Sequence, residues 1–278
     1  MTDEAVDDGD DTTITGSTWL AIGAMMLAVF VIANDFTAMN VVLPSIEAEL
    51  DTDLSTVQWV VNGYALIFGV LIVPGGRIAD IYGRREALAA GALMFAVFSL
   101  LGGLAPNVWV LIIARMLMGV GGALMWPAIL GLIYAVLPGT KTALAGAMVI
   151  GVAGIGNASG PVIAGALGEI DWRYVFFLNV PIALIAMFAV ITLVKLPRDR
   201  VDEHIDYLGT GLLSVSLLSL LTTLTLAPNV GYGEPGVIAG FVVFAVFMAA
   251  FVWWQRRAGE AGLIPTSVAK NRPFIRAC

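Results

Sequence analysis

VWVLIIARMLMGVGGALMWPAILGLIYAV, Val108–Val136, carries one charged side chain, Arg115, in an otherwise apolar run. A helix needs about 20 mostly apolar residues to cross about 30 Å of hydrocarbon, so this stretch reads as a membrane span. A guanidinium inside it costs at least about 2.5 kcal/mol, which makes Arg115 a residue that function or a partner has to explain. On a helix Arg115 shares a face with Gly119, Gly122 and Trp126, so an ion and a seam of small residues point the same way, into a bundle.

Seven further stretches have the same character: 18–39, 57–76, 87–105, 142–167, 174–194, 207–226 and 236–254. With 59% hydrophobic and 13% charged residues, the 278-residue chain has far more apolar surface than one soluble core can hide. The fold class expected is all-α, a polytopic membrane helical bundle of eight spans. The polar run LPRDRVDEHID divides it into a six-helix unit over 17–195, a cytoplasmic linker over 196–206 and two extra helices over 207–254. A cytoplasmic segment, 255–278, follows. The tail 1–16 holds six acids and no Lys or Arg, so it reads as a solvated, disordered segment and lacks the charged n-region of a cleavable signal.

The basic residues orient the bundle. Arg77, Arg84, Arg85, Lys141, Lys195, Arg198, Arg200, Arg256, Arg257, Lys270, Arg272 and Arg276 fall on one side of the spans, and Arg173 alone falls on the other. The positive-inside rule therefore puts both termini of this chain in the cytoplasm.

A second ion in hydrocarbon is Asp35, within ANDFTAMN of the first span. Burial penalises a charged carboxyl and a nearby cation favours it, so a proton and a substrate can compete for such a group. Two other readings stay open: Asp35 reaches headgroup water near the outer end of its helix, or it pins packing in a structural pair with Arg115. The fifth span contains GVAGIGNASGPVIAG, where Gly151, Gly154, Ala158, Pro161 and Gly165 share one face and Gly156 and Gly160 form a GxxxG pair elsewhere. Close backbone approach is expected on both sides. Pro161 has no N–H for the Asn157 carbonyl, which frees that oxygen and favours a kink. Between the second and third spans, PGGRIADIYGRREAL reads as a tight connection in which glycines turn the chain and Asp80 stands between Arg77 and the pair Arg84 and Arg85. Asn34, Asn62, Tyr64 and Trp126 are candidates for lining a cavity. For Trp59 and Trp126 anchoring at the membrane interface is the preferred reading, while Tyr64 lies deeper.

These residues resemble the major facilitator superfamily. Its loop signature GxLxDRxGRR stands here as GGRIADIYGRR, with Ile81 where a basic residue is common. NDFTAMNVVLP, RMLMGVGGALMWP and the antiporter-type SGPVIAGAL match in the first, fourth and fifth spans. QWVVNGYAL and WRYVFFLNVP are typical of the fourteen-span drug:proton antiporter group, which inserts two linker helices between six-helix halves. The resemblance implies a major-facilitator-type amino-terminal half plus two linker helices, with six more helices in a complete relative. It further implies Asp35 as coupling carboxylate, Arg115 as its partner, Gly154, Gly156, Gly160, Pro161 and Gly165 on the antiport helix, and Gly76, Asp80, Gly83, Arg84 and Arg85 in a cytoplasmic gate. The function it implies is proton-coupled antiport of amphipathic small organic compounds or drugs across the plasma membrane, with the lone chain inactive without the carboxy-terminal half. The alternative is a natural half-size, non-transporting membrane protein or scaffold that assembles with a partner half.

Enzymatic readings find no support in the residues. No span pairs a Ser or Cys nucleophile with a His, or two aspartates, and His204 and Cys278 are the only residues of their kinds. No metal or cofactor is called for. There is no GxxxxGK[ST] sequence, and the basic residues follow membrane topology, so neither nucleotide hydrolysis nor a nucleic-acid partner is expected. The expected partners are the lipid bilayer, a small-molecule substrate and protons.

Overall fold

The computed structural model describes residues 16–137, 141–194, 206–259 and 262–263. Helices α1 (Gly16–Glu49), α2 (Leu54–Val57), α3 (Trp59–Tyr82), α4 (Arg84–Gly103), α5 (Val108–Val136), α6 (Thr142–Gly168), α7 (Arg173–Leu193), α8 (Tyr207–Val230) and α9 (Pro235–Ala258) make up nearly all of them. With α2 and α3 taken together, eight segments are long and apolar enough to cross a bilayer, as the composition of the chain requires. The expected tail at 1–16 lies outside the described residues except for Gly16, as do the linker at 196–206 except for Asp206 and most of 255–278.

Three expectations change. Helix α1 continues ten residues past the apolar run that ends at Met39, because Val42 and Ile46 still turn into the core. Glu49 then ties its end to α7: the carboxylate accepts the Trp172 indole N–H at 2.7 Å and pairs with Arg173. Helix α9 likewise runs on through Gln255 to Ala258, past the expected boundary at 254. Finally, Gly75 and Gly76 do not turn the chain. Both are helical in α3, and a Cβ on Gly75 would sit 2.3 Å from the Ala123 carbonyl oxygen, so this glycine lets α3 lie against the backbone of α5. The turn is made by Gly83 alone, at φ 109°, a conformation that L side chains rarely adopt.

Helix α5 packs between α3 and α4, α1 packs against α6 and α7, and α4 closes the bundle against α7. Helices α1 and α5 are the most enclosed of the spans and α8 and α9 the least. At one end, Arg84 donates to Asp80 at 3.0 Å and to the Gly131 carbonyl at 3.0 Å, and Arg85 donates to the Ile191 carbonyl, so two arginines join α3, α4, α5 and α7. At the other end, Asp53 caps α2 by accepting from the Thr56 amide and from the Ser55 and Thr56 hydroxyls. Those hydrogen bonds hold its carboxyl down at about 2, so the cap stays intact until the pH falls to that value.

Helices α8 and α9 form a hairpin that meets the six-helix body through α3. Its seam is polar: Ser216 donates to the Phe244 carbonyl at 3.2 Å and Ser219 to the Gly240 carbonyl at 2.8 Å. Asp206 fastens its open end. One carboxylate oxygen accepts from the Gly209 amide at 2.7 Å and the Trp254 indole at 2.8 Å, the other from Gln255 at 3.2 Å and the Leu263 amide at 3.1 Å. Four donors from three chain segments thus meet on one side chain. Asp206→Ala is expected to cost about 2 kcal/mol of local stability, read as faster amide exchange in the first turn of α8 and the last turn of α9, with the six-helix body unchanged.

Candidate functional site

Asp35 lies about 21 Å from the Glu49 end of α1 at 1.5 Å per residue, well inside the bundle. Arg115 approaches it from α5, Nη1 to Oδ2 at 2.5 Å, and both side chains are 0% exposed. The carboxylate therefore faces protein and not headgroup water. Its other oxygen, Oδ1, accepts from Asn179 Nδ2 of α7 at 2.8 Å, and Asn179 is itself buried.

Arg115 has anchors of its own. Its Nε donates to the Val60 carbonyl of α3 at 2.9 Å, and its Cζ lies 4.3 Å from the centroid of the Tyr64 ring and 5.9 Å from that of Phe176. Small residues on α5 make this geometry possible. Gly119 lies against the Tyr64 carbonyl and Gly122 against the Phe68 ring and the Tyr64 hydroxyl, so α3 comes close enough to present both a carbonyl and a ring face. Neither ion depends wholly on the other: Arg115 keeps Val60 and Tyr64, and Asp35 keeps Asn179. Arg115 Nη2 and the Tyr64 hydroxyl are buried without a hydrogen-bond partner among the described residues, which leaves spare donor capacity beside the carboxylate.

The other sequence candidates divide. Gly156 and Gly160 of α6 are buried against α1; a Cβ on Gly160 would sit 2.1 Å from Thr37 Oγ1 and 2.8 Å from the Asn34 carbonyl. Among the described residues Gly151, Gly154 and Gly165 meet nothing within 4 Å, so there the close approach of α6 to α1 occurs on one side, not on both. Pro161 sits inside a continuous helix, and the Asn157 carbonyl that it frees accepts the Thr37 hydroxyl at 3.0 Å. Asn34 is buried and donates to Ser159 Oγ of α6 at 3.3 Å, in the α1–α6 seam. Tyr64 is buried beneath Phe36, Phe68 and Phe95, while Asn62 and Trp126 are half-buried. Trp59 lines an open crevice of about 470 Å³ with Trp109, Ile112, Met116 and, from α8, Leu226 and Val230. Asp80 and Arg84 pair on the surface, far along α3 from Tyr64.

Asn179 and Thr37 are missing from the residues singled out by sequence. Asn179 carries no charge, yet it is the one amide in the apolar run of α7, in the segment FFLNVP. Thr37 follows Asp35 by two residues, and the Pro161 gap in α6 is the signal that some donor has to serve Asn157.

Residues 25–265 match the Major Facilitator Superfamily. The tetracenomycin C resistance and export protein of Streptomyces glaucescens is 34% identical over 264 residues, which cover 94% of this chain and 49% of that protein. The puromycin resistance protein of Streptomyces alboniger is 36% identical over 261 residues, 91% of this chain and 50% of its own. The chain thus spans about half the length of the curated relatives it matches. A peptide transporter POT, crystallised in complex with sulfate, shares the fold at a TM-score of 0.62 and 12% identity, over 85% of this chain and 51% of that one. Matched by the family along residues 25–265, most of its length, the chain belongs to the Major Facilitator Superfamily of membrane transporters.

Proposed function

We propose that residues 1–278 supply one half of a proton-coupled antiporter that exports amphipathic small organic compounds, with Asp35 alternately protonated and paired with Arg115. The observation that carries this reading is the fully buried Asp35–Arg115 pair, in which each member keeps a second anchor inside the bundle. Relatives named for export of tetracenomycin C and for resistance to puromycin and lincomycin support an efflux direction and a drug-like substrate. The α8–α9 hairpin beside a six-helix body fits the fourteen-span drug:proton group.

The substrate surface in this reading is shared with a second six-helix half, and alternating access rocks one half against the other. The exposed α6 face with Ile150, Ile155 and Val162 is the surface offered to that half. Asp80, Arg84 and Arg85 form the gate at the cytoplasmic end of a plasma-membrane protein, and the positive-inside rule puts both termini of this chain on that same cytoplasmic side.

In the complete transporter reconstituted in vesicles, Asp35→Asn is expected to keep the hydrogen bond to Asn179 yet reduce pH-gradient-driven export to the level of empty vesicles. Uphill export by that variant at the wild-type rate is incompatible with the coupling role, and a chain that assembles stably with a partner half but moves nothing favours the scaffold reading. Removing Arg115 while Asp35 stays leaves a buried charge uncompensated, so Arg115→Ala is expected to destabilise the chain by about 3–5 kcal/mol in detergent unfolding. Arg115→Lys should lose less, since an ammonium retains the charge but cannot reach Asp35 and the Val60 carbonyl in the same planar geometry.

A further inference from the structure

Helix α6 carries no charged residue, and its polar contacts with α1 cluster on either side of Asp35. Pro161 leaves the Asn157 carbonyl without its helical donor, and a carbonyl at the middle of a membrane helix needs another one. The Thr37 hydroxyl supplies it across the seam at 3.0 Å, while lying 3.2 Å from the Asn34 carbonyl in its own helix. With one proton to give, this hydroxyl has two acceptors within reach. Gly160 makes the crossing possible, because any Cβ there would strike Thr37 Oγ1.

The two sides of α1 are therefore engaged differently. Asp35 faces Arg115 of α5 and Asn179 of α7, with Tyr64 of α3 the other titratable group at the cluster. Asn34 and Thr37 face α6. Any rotation of α1 that follows release of Asp35 from Arg115 has to disturb the Thr37–Asn157 bond, and the Asn34 carbonyl stands ready as the alternative acceptor.

We propose that Thr37 is a positioning residue, whose hydroxyl holds the helix of Asp35 to α6 across the carbonyl orphaned by Pro161 and exchanges that acceptor for Asn34 when Asp35 releases Arg115. The coupling part of this inference rests on the proton-coupled reading above.

A double-mutant cycle tests the link without transport. Thr37→Val removes the donor but keeps the shape, and Pro161→Ala returns an N–H to the Asn157 carbonyl. In detergent unfolding of the chain, Thr37→Val should lower the midpoint by about 3 °C when Pro161 is present and leave it nearly unchanged beside Pro161→Ala, with Thr37→Ser matching wild type. An equal loss in both backgrounds overturns the link. In the complete transporter, Thr37→Val should bind substrate normally yet shift the pH profile of exchange and slow it about tenfold, and Thr37→Ser should restore both. A wild-type pH profile for Thr37→Val overturns the coupling role and leaves the role of Asp35 standing. If wild type itself shows no pH-driven exchange, the proposed function falls together with the coupling role, and the unfolding cycle still decides the hydrogen bond.

Discussion

A guanidinium and a carboxylate in hydrocarbon are each costly alone and tolerable together, and the arrangement of the helices follows from bringing Arg115 to Asp35. The two residues lie on α5 and α1, the most enclosed helices of the bundle. Joining them requires α3 to lie close enough for its Val60 carbonyl to receive Arg115 Nε, which in turn requires glycine at 119 and 122. It also requires α7 to bring Asn179 to the far oxygen of the carboxylate. Small residues and polar residues thus have complementary tasks: the first set the distance between backbones, the second use the groups that the short distance exposes.

The packing has an internal regularity. Helices α1, α3 and α4 form one set of three spans, and α5, α6 and α7 form a second. The two most extensive interfaces, α1 with α6 and α3 with α5, exchange places when one set is substituted for the other. This is the pattern expected of the inverted repeats nested in each half of major facilitator transporters. Asp35 and Arg115 then occupy the leading helices of the two repeats, and the charge pair ties the repeats together at their most enclosed point.

Much of this was legible in the sequence because hydrocarbon is an exacting solvent. The limits of α5 coincide with the apolar run, and Asp35 and Arg115 stand out because ions there are expensive. What escaped depends on neighbours. Asn179 is a neutral amide, cheap enough to pass as an ordinary span residue until Asp35 Oδ1 is placed beside it. Gly75 and Gly76 have the composition of a turn, and only the nearness of Ala123 and Pro127 of α5 identifies them as packing residues within a helix. The last turns of α1 contain Asn40, Pro44, Ser45, Glu47 and Glu49, which lower the hydropathy although Val42 and Ile46 still face the core.

The division of α6 into two faces separates the seam that lies beside the ion pair from the surface that this chain leaves open. Gly156 and Gly160 are committed to α1, while Ile150, Ile155 and Val162 remain exposed along the other side. Among the described residues, the groups that touch the charge pair, namely Asn179, Val60, Met118, Tyr64 and Phe176, are all enclosed within the bundle. In the proposed mechanism, the setting of the charge pair therefore belongs to this half and is built from contacts that need no second domain. In the same proposal, substrate selection falls to surfaces that this half leaves open, so variation on the exposed face of α6 would alter what is carried while the α1–α5 pair stays unchanged.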